Sequence, residues 1–331
     1  MKTKPQQSTR LAAAKSNLLT LKIERGFSLI ELMIASAIAL IILVAVSNIF
    51  ISSSSSERSN SSASELTTNG RYAMETIRHD LLQAGFKGIG SQNSSILTTT
   101  IPAVTGDCAT GFATNTATNP LTNKEYELGN LFGTNDSNAG LTGCIPNASY
   151  STGDILVARH AAQAPKATAA NTISMHASYG RWELFKGTVV PLGFKGPVLD
   201  YPLETSVYYI SPNTSGADGI PALNKVSLGA GPAMTSSLVA SNIQDMQFQY
   251  GITDKENKTT RFYDANDISN TATPSEWGKV SAVRVWILVR GTRVEPSYTN
   301  TNSYVMGSKT VTASDGFRRE LYSTTVSIRN F

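Results

Sequence analysis

An uninterrupted apolar run from Phe27 to Ile51, with Glu31 as its only formal charge, constrains this chain more than any other feature. Leu32 to Ile51 alone are 20 residues, which as a helix rise about 30 Å, one hydrocarbon thickness. The segment can cross a bilayer once. A carboxylate held deep in such a segment costs roughly 2–3 kcal/mol on insertion scales, and less near the interface. A charge kept at that cost points to a partner for it.

The residues ahead of the run sharpen this. Met1 to Gly26 carry Lys2, Lys4, Arg10, Lys15, Lys22 and Arg25 against Glu24, a basic flank that belongs on the cytoplasmic side. An ordinary secretory signal has an apolar core of about 7–15 residues and a small-residue cleavage site after it. Here the run is longer, and the small residue, Gly26, precedes it. The alternative is a plain signal anchor in which Glu31 is incidental.

The net charge of +4 suggests nucleic acid at first. The leader alone carries six cations and one anion, however, so the remainder of the chain is close to neutral. The basic balance therefore concerns membrane topology. After the leader and the apolar segment about 250 residues remain, enough for one sizeable core or two closely packed ones. The two cysteines, Cys108 and Cys144, both lie in the part placed outside the cytoplasm, where a disulfide is expected. Closing a loop of about 37 residues is worth roughly 3–4 kcal/mol in the chain-entropy model. Spacing alone also allows two free thiols.

Past the apolar run, Ser52 to Ser56 and the polar stretch to Ser64 favour helix only weakly. Leu66, Ala73, Ile77, Leu81 and Ala84 then recur at helical spacing, with Glu65, Arg71, Arg78 and Asp80 assigned to the wet side. Gly85 is the expected stop and Gly70 an internal weak point worth about 1 kcal/mol against alanine. Beyond Gly85 short β-like runs dominate, among them Asp154–Ala158 and Ser206–Ile210. Met246, Phe248 and Tyr250 alternate with Gln247 and Gln249, predicting a half-buried strand with a wet face. Val283, Val285, Ile287 and Val289 alternate with Arg284, Trp286, Leu288 and Arg290, predicting a central strand covered on much of both faces. Tyr322, Thr324, Val326 and Ile328 share one face of a last strand. No confident element is assigned between Ser91 and Gly153.

Arg25-Gly26-Phe27-Ser28-Leu29-Ile30-Glu31 resembles the processing motif of type IV prepilins and pseudopilins, whose leader is cut between a glycine and, commonly, a phenylalanine. Gly26, Phe27 and Glu31 match it position by position, Glu31 being the fifth residue of the implied mature chain. Gly70 to Phe86 resembles the end of the first helix in the PilW family of minor pilins. Val283 to Arg290 and Arg318 to Asn330 resemble strands of the same family. The stretch from about Gly88 to Leu238 carries no such likeness.

Residues and resemblance together give an α+β, pilin-like fold, a long N-terminal helix packed on a β-rich domain. The implied division is 1–26 prepilin leader, 27–51 transmembrane and assembly helix, 52–85 its amphipathic second half, and 86–331 a β-rich periplasmic domain. The resemblance implies a minor pilin that sits in the inner membrane with its C-terminal domain in the periplasm and then joins the pilus at the cell surface. It implies as partners a prepilin peptidase that cuts at Gly26 and methylates Phe27, the major pilin, and other minor pilins of a tip complex. The subunit would help initiate the type IV pilus and stand at or near its tip, in the service of twitching motility, cell adhesion or DNA uptake. In an apolar filament core Glu31 needs a cation, and the nearest kind is the terminal amine of a neighbouring subunit. Alternatives are a minor pseudopilin of a type II secretion system, or a membrane-tethered periplasmic enzyme or receptor.

Catalytic and metal motifs are not evident. His79, His160 and His176 lie in no zinc or nucleophile pattern, and no G-x-S-x-G elbow occurs. Asp254, Glu256 and Asn257, then Asp264, Asn266 and Asp267, are oxygen-rich, but neither group has EF-hand spacing, and solvated turns are the expectation. No cofactor, metal or nucleic-acid partner is expected, and the aromatic residues are spread among strands as core.

Overall fold

Helix α1 runs without a break over Leu29–Gln83 in the computed structural model, which describes residues 26–90, 95–96, 104–106, 130–231, 233–254, 256–268, 276–296 and 298–330. The chain forms two compact units, one ending at Glu57 and the other spanning Arg58–Phe331. The weak helix formers do not interrupt α1. Ser47, Thr67 and Thr76 each turn the hydroxyl back onto the carbonyl four residues earlier, which satisfies it within the helix. The helix stops where expected. Gly85 takes a left-handed φ of 78° and donates its N–H to the Arg159 carbonyl at 2.9 Å.

Fourteen strands are described after it: β1 Ser95–Ile96, β2 Leu131–Thr134, β3 Ile155–Ala161, β4 Ile173–Ser178, β5 Arg181–Lys186, β6 Leu199–Ser211, β7 Ala222–Gly229, β8 Ala233–Ser241, β9 Ile243–Asp254, β10 Thr259–Tyr263, β11 Val280–Arg290, β12 Ser303–Met306, β13 Lys309–Thr312 and β14 Arg319–Ser327. An eight-stranded sheet has the order β1-β5-β4-β6-β3-β2, with β7 on β6 and β8 on β7. A four-stranded antiparallel sheet has the order β10-β9-β11-β14, and β12 and β13 form a hairpin. The structure therefore has the expected α+β form, a long helix with a β-rich body.

The second half of α1 buries Leu66, Ala73, Ile77, Leu81 and Ala84 in a core shared with Met246, Phe248 and Tyr250 of β9 and Val283, Val285, Ile287 and Val289 of β11. The helical spacing was a sound guide there. Strand β11 is central, between β9 and β14, and its outer face is covered partly by stacking. The Arg284 guanidinium lies 3.7 Å from the Phe262 ring centre and that of Arg290 4.4 Å from Phe317.

Three expectations need correction. Asp80 is not on the wet side but buried, where its Oδ2 accepts hydrogen bonds from Tyr208 at 2.7 Å and Lys225 at 2.8 Å. A carboxylate with two donors can sit on the inner face of a helix that its charge alone would forbid. The glutamine face of β9 is not wet either, since Gln247 is buried and hydrogen-bonds Asp245 and Asp136. The β12–β13 hairpin contributes to its cover, with Gly307 over Gln249 and Lys309 paired to Asp136 and Asp245. Gly70, finally, is a packing position rather than a weak point, because a Cβ there would overlap the Tyr322 ring.

Beside that network, Asp154 is fully buried and accepts the N–H groups of Asp136 at 3.0 Å and Phe248 at 2.8 Å. Burial raises its carboxyl to about 7 despite those two bonds, with Asp136 and Asp245 adding to the rise.

Candidate functional site

The N-terminal turn of α1 collects three of the residues singled out from sequence. Gly26 and Phe27 precede the helix and Glu31 lies in its first turn. Ser28 is the capping residue, and its carbonyl accepts the first helical bond from the Leu32 N–H at 3.1 Å. Glu31 reaches back so that Oε2 accepts the Ser28 N–H at 2.9 Å. That is half of a capping box, Ser-x-x-Glu, and it was readable in the sequence although the carboxylate invited a longer-range explanation. A carboxylate at a helix N-terminus also gains from the helix dipole. Among the described residues this one backbone donor leaves most of its acceptor capacity open.

Around this turn the apolar side chains are uncovered on every side of the helix. Phe27 is 88 % exposed, and Leu29 to Ile51 show large exposed hydrophobics throughout. The stretch is long and apolar enough to cross a membrane, and none of it is buried within the protein. Among the described residues an added Cβ at Gly26 would meet nothing within 4 Å, so they place no steric demand for glycine there. Chemically the turn offers an anchor and one carboxylate at its head.

The remaining singled-out residues lie elsewhere. Cys144 packs at the margin of a separate core cluster around Leu141, Ile145 and Tyr209, while Cys108 falls outside the described residues. His79 is exposed and faces Gln83 and Gln163. His176 is buried and its Nδ1 lies 2.6 Å from Asp200, edge-on to Phe185 and Phe194. The two oxygen-rich loops close on themselves or on the sheet. Asp254 accepts the N–H of Glu256 at 2.9 Å, and Asp264 accepts the Gln249 amide at 3.0 Å. Among the described residues no group of three or more His, Cys, Asp or Glu is placed to hold a metal ion.

Comparison with known proteins gives two family matches. Residues 207–330 match the family described as type IV pilus-assembly protein W, and residues 21–47 match the prokaryotic N-terminal methylation motif. No curated protein matches the chain. Among solved structures, a type IV-like pilin from Thermus thermophilus is 18 % identical over 56 % of this chain and 81 % of its own, with a TM-score of 0.27. The chain is thus similar at its C-terminal end to a PilW pilus-assembly protein and at its N-terminal end to the prepilin methylation segment, a likeness to structural pilus components.

Proposed function

We propose that this PilW-like type IV pilin is a minor subunit that helps start pilus assembly and stands at or near the tip with other minor pilins. The observation that carries the reading is Glu31, the one charge of the apolar segment, whose only hydrogen bond among the described residues is the local one to Ser28. In an assembled apolar bundle its open acceptor capacity calls for a cation. Cutting the chain between Gly26 and Phe27 supplies one, the new amine of Phe27 on a neighbouring subunit, charged with or without a methyl group. Pairing of this kind sets the axial register between helices and offsets the membrane cost of the carboxylate.

The surroundings of Gly26, uncrowded among the described residues, support processing there. A glycine that its own fold does not require fits a requirement imposed by a peptidase site. The basic leader favours a cytoplasmic N-terminus, hence a periplasmic β-rich domain, with the pilus at the cell surface as destination. A bridge between Cys108 and Cys144 belongs to that compartment. Intact mass of the membrane-extracted protein tests the reading. It predicts a chain beginning at Phe27, and a mature N-terminus beyond Ile51, or a chain that keeps its leader, contradicts it.

A further inference from the structure

The loop between β5 and β6, from Thr188 to Val198, turns apolar side chains outward in a part of the chain that neither family match covers. Val189 is 85 % and Leu192 86 % exposed. The loop is nevertheless tethered. Arg181 Nη1 donates to the Gly193 carbonyl at 3.0 Å, and its guanidinium lies 4.6 Å from the Phe194 ring centre. Phe194 in turn stands edge-on to His176 at 4.4 Å. One aromatic side chain is thus held inward while Val189, Leu192 and, to a lesser degree, Val190 face water, an arrangement that leaves apolar area uncompensated unless another surface covers it.

The charges around the tip indicate what that surface is. From Ala161 to Leu199 the chain carries Lys166, Arg181, Lys186 and Lys195, and its one acid, Glu183, is buried. Exposed Lys186 and Lys195 bracket the apolar tip on either side, and the Lys166 N–H bonds the Asp200 carbonyl at 2.9 Å, beside the end of the loop. The Asp200 carboxylate is engaged by His176. An aliphatic tip flanked in sequence by exposed lysines complements a surface that is apolar within and anionic outside.

We propose that this loop docks on an anionic lipid bilayer surface, with Val189 and Leu192 entering the boundary between headgroups and acyl chains and Lys186 and Lys195 meeting lipid phosphates. The proposal rests on the loop alone and stands or falls separately from the pilus reading.

The test uses the full chain, held through its apolar helix in phosphatidylcholine nanodiscs and titrated with vesicles of phosphatidylcholine, with or without phosphatidylglycerol. Co-flotation is expected to be at least about tenfold tighter with the anionic vesicles, and to weaken with salt. Val189→Ser with Leu192→Ser is expected to weaken it by about tenfold or more. Lys186→Gln with Lys195→Gln should remove most of the preference for anionic lipid. All four side chains are exposed, so an unchanged melting temperature certifies each variant. Equal binding to both vesicle types, or wild-type binding by the serine pair, overturns the proposal. A protein partner lost with the serine pair while no vesicle is bound also overturns it, in favour of a protein contact.

Discussion

Lys225 Nζ lies 2.8 Å from Asp80 Oδ2 and fastens the second half of α1 to β7. Tyr208 of β6 donates to the same oxygen, so one carboxylate ties the helix to two neighbouring strands of the large sheet. Because most of Asp80 is out of water, removing its charge strands a cation in a partly buried site.

Asp80→Asn is expected to lose about 2–4 kcal/mol of stability near neutral pH. Burial pushes the Asp80 carboxyl up, but the charge and hydrogen bond of Lys225, with bonds from Ser206 and Tyr208, outweigh it and hold the group below its ordinary value. A folded-state pKa that is depressed means stability present above the unfolded value, near 4, and lost as pH falls through the folded one. Denaturant midpoints taken across that acid range should fall less steeply for Asp80→Asn than for the wild type. Parallel curves would show that Asp80 is not the group responsible.

Gly70→Ala should destabilise the protein by about 1–3 kcal/mol, although helix propensity alone favours alanine by about 1 kcal/mol. The cause is overlap with the Tyr322 ring. In a Tyr322→Ala background the same change should be neutral or stabilising, and a thermal-melt double-mutant cycle reads the difference. Equal penalties in both backgrounds would remove Tyr322 from the explanation.

Asp154 predicts the opposite pH trend from Asp80. Its folded pKa is raised to about 7 by burial, so its neutral form is the one the fold prefers. That contribution is complete below the unfolded value near 4 and is lost as pH rises through about 7. Relative to Asp154→Asn, the wild type should lose about 2 kcal/mol between about pH 5 and pH 8. Urea titrations at the two pH values check this, and a constant difference would mean that Asp154 is charged throughout.

The helix was legible because its signals are local. Apolar length, the spacing of Leu66, Ala73, Ile77, Leu81 and Ala84, and a glycine stop at Gly85 all act within a few turns. The alternation in β11 and β14 was legible for the same reason. What was not legible depends on partners distant in sequence. Nothing near Asp80 announces Lys225, and nothing near Gln247 announces the hairpin carrying Lys309. Gly70 reads as a flaw until Tyr322 is beside it. Of the candidate site, Gly26, Phe27 and Glu31 are singled out by motif, and the capping bond of Glu31 is written in the same four residues, Ser28 to Glu31.

Cys108 and Cys144 should be joined, in a bridge that serves stability alone. Thiol labelling of the unreduced, denatured protein is expected to find no free cysteine. Replacing both by serine should lower stability by about 3–4 kcal/mol in the chain-entropy model and leave association with other pilins unchanged in whatever remains folded. Full labelling would contradict the bridge, and folded protein that fails to assemble would contradict its purely structural role.

In the proposed function Glu31 acts through its charge on a neighbouring subunit rather than through its own helix cap. Glu31→Gln separates the two, since glutamine can still accept the Ser28 N–H in the manner of a capping box but carries no charge. Glu31→Leu removes both. The measurement is recovery of each variant with other minor pilins from membrane extracts, on samples whose insertion and leader cleavage match the wild type. Glu31→Gln is expected to be lost from the complexes as fully as Glu31→Leu. Wild-type recovery of Glu31→Gln would contradict it, and would reduce Glu31 to the cap of an ordinary anchor helix.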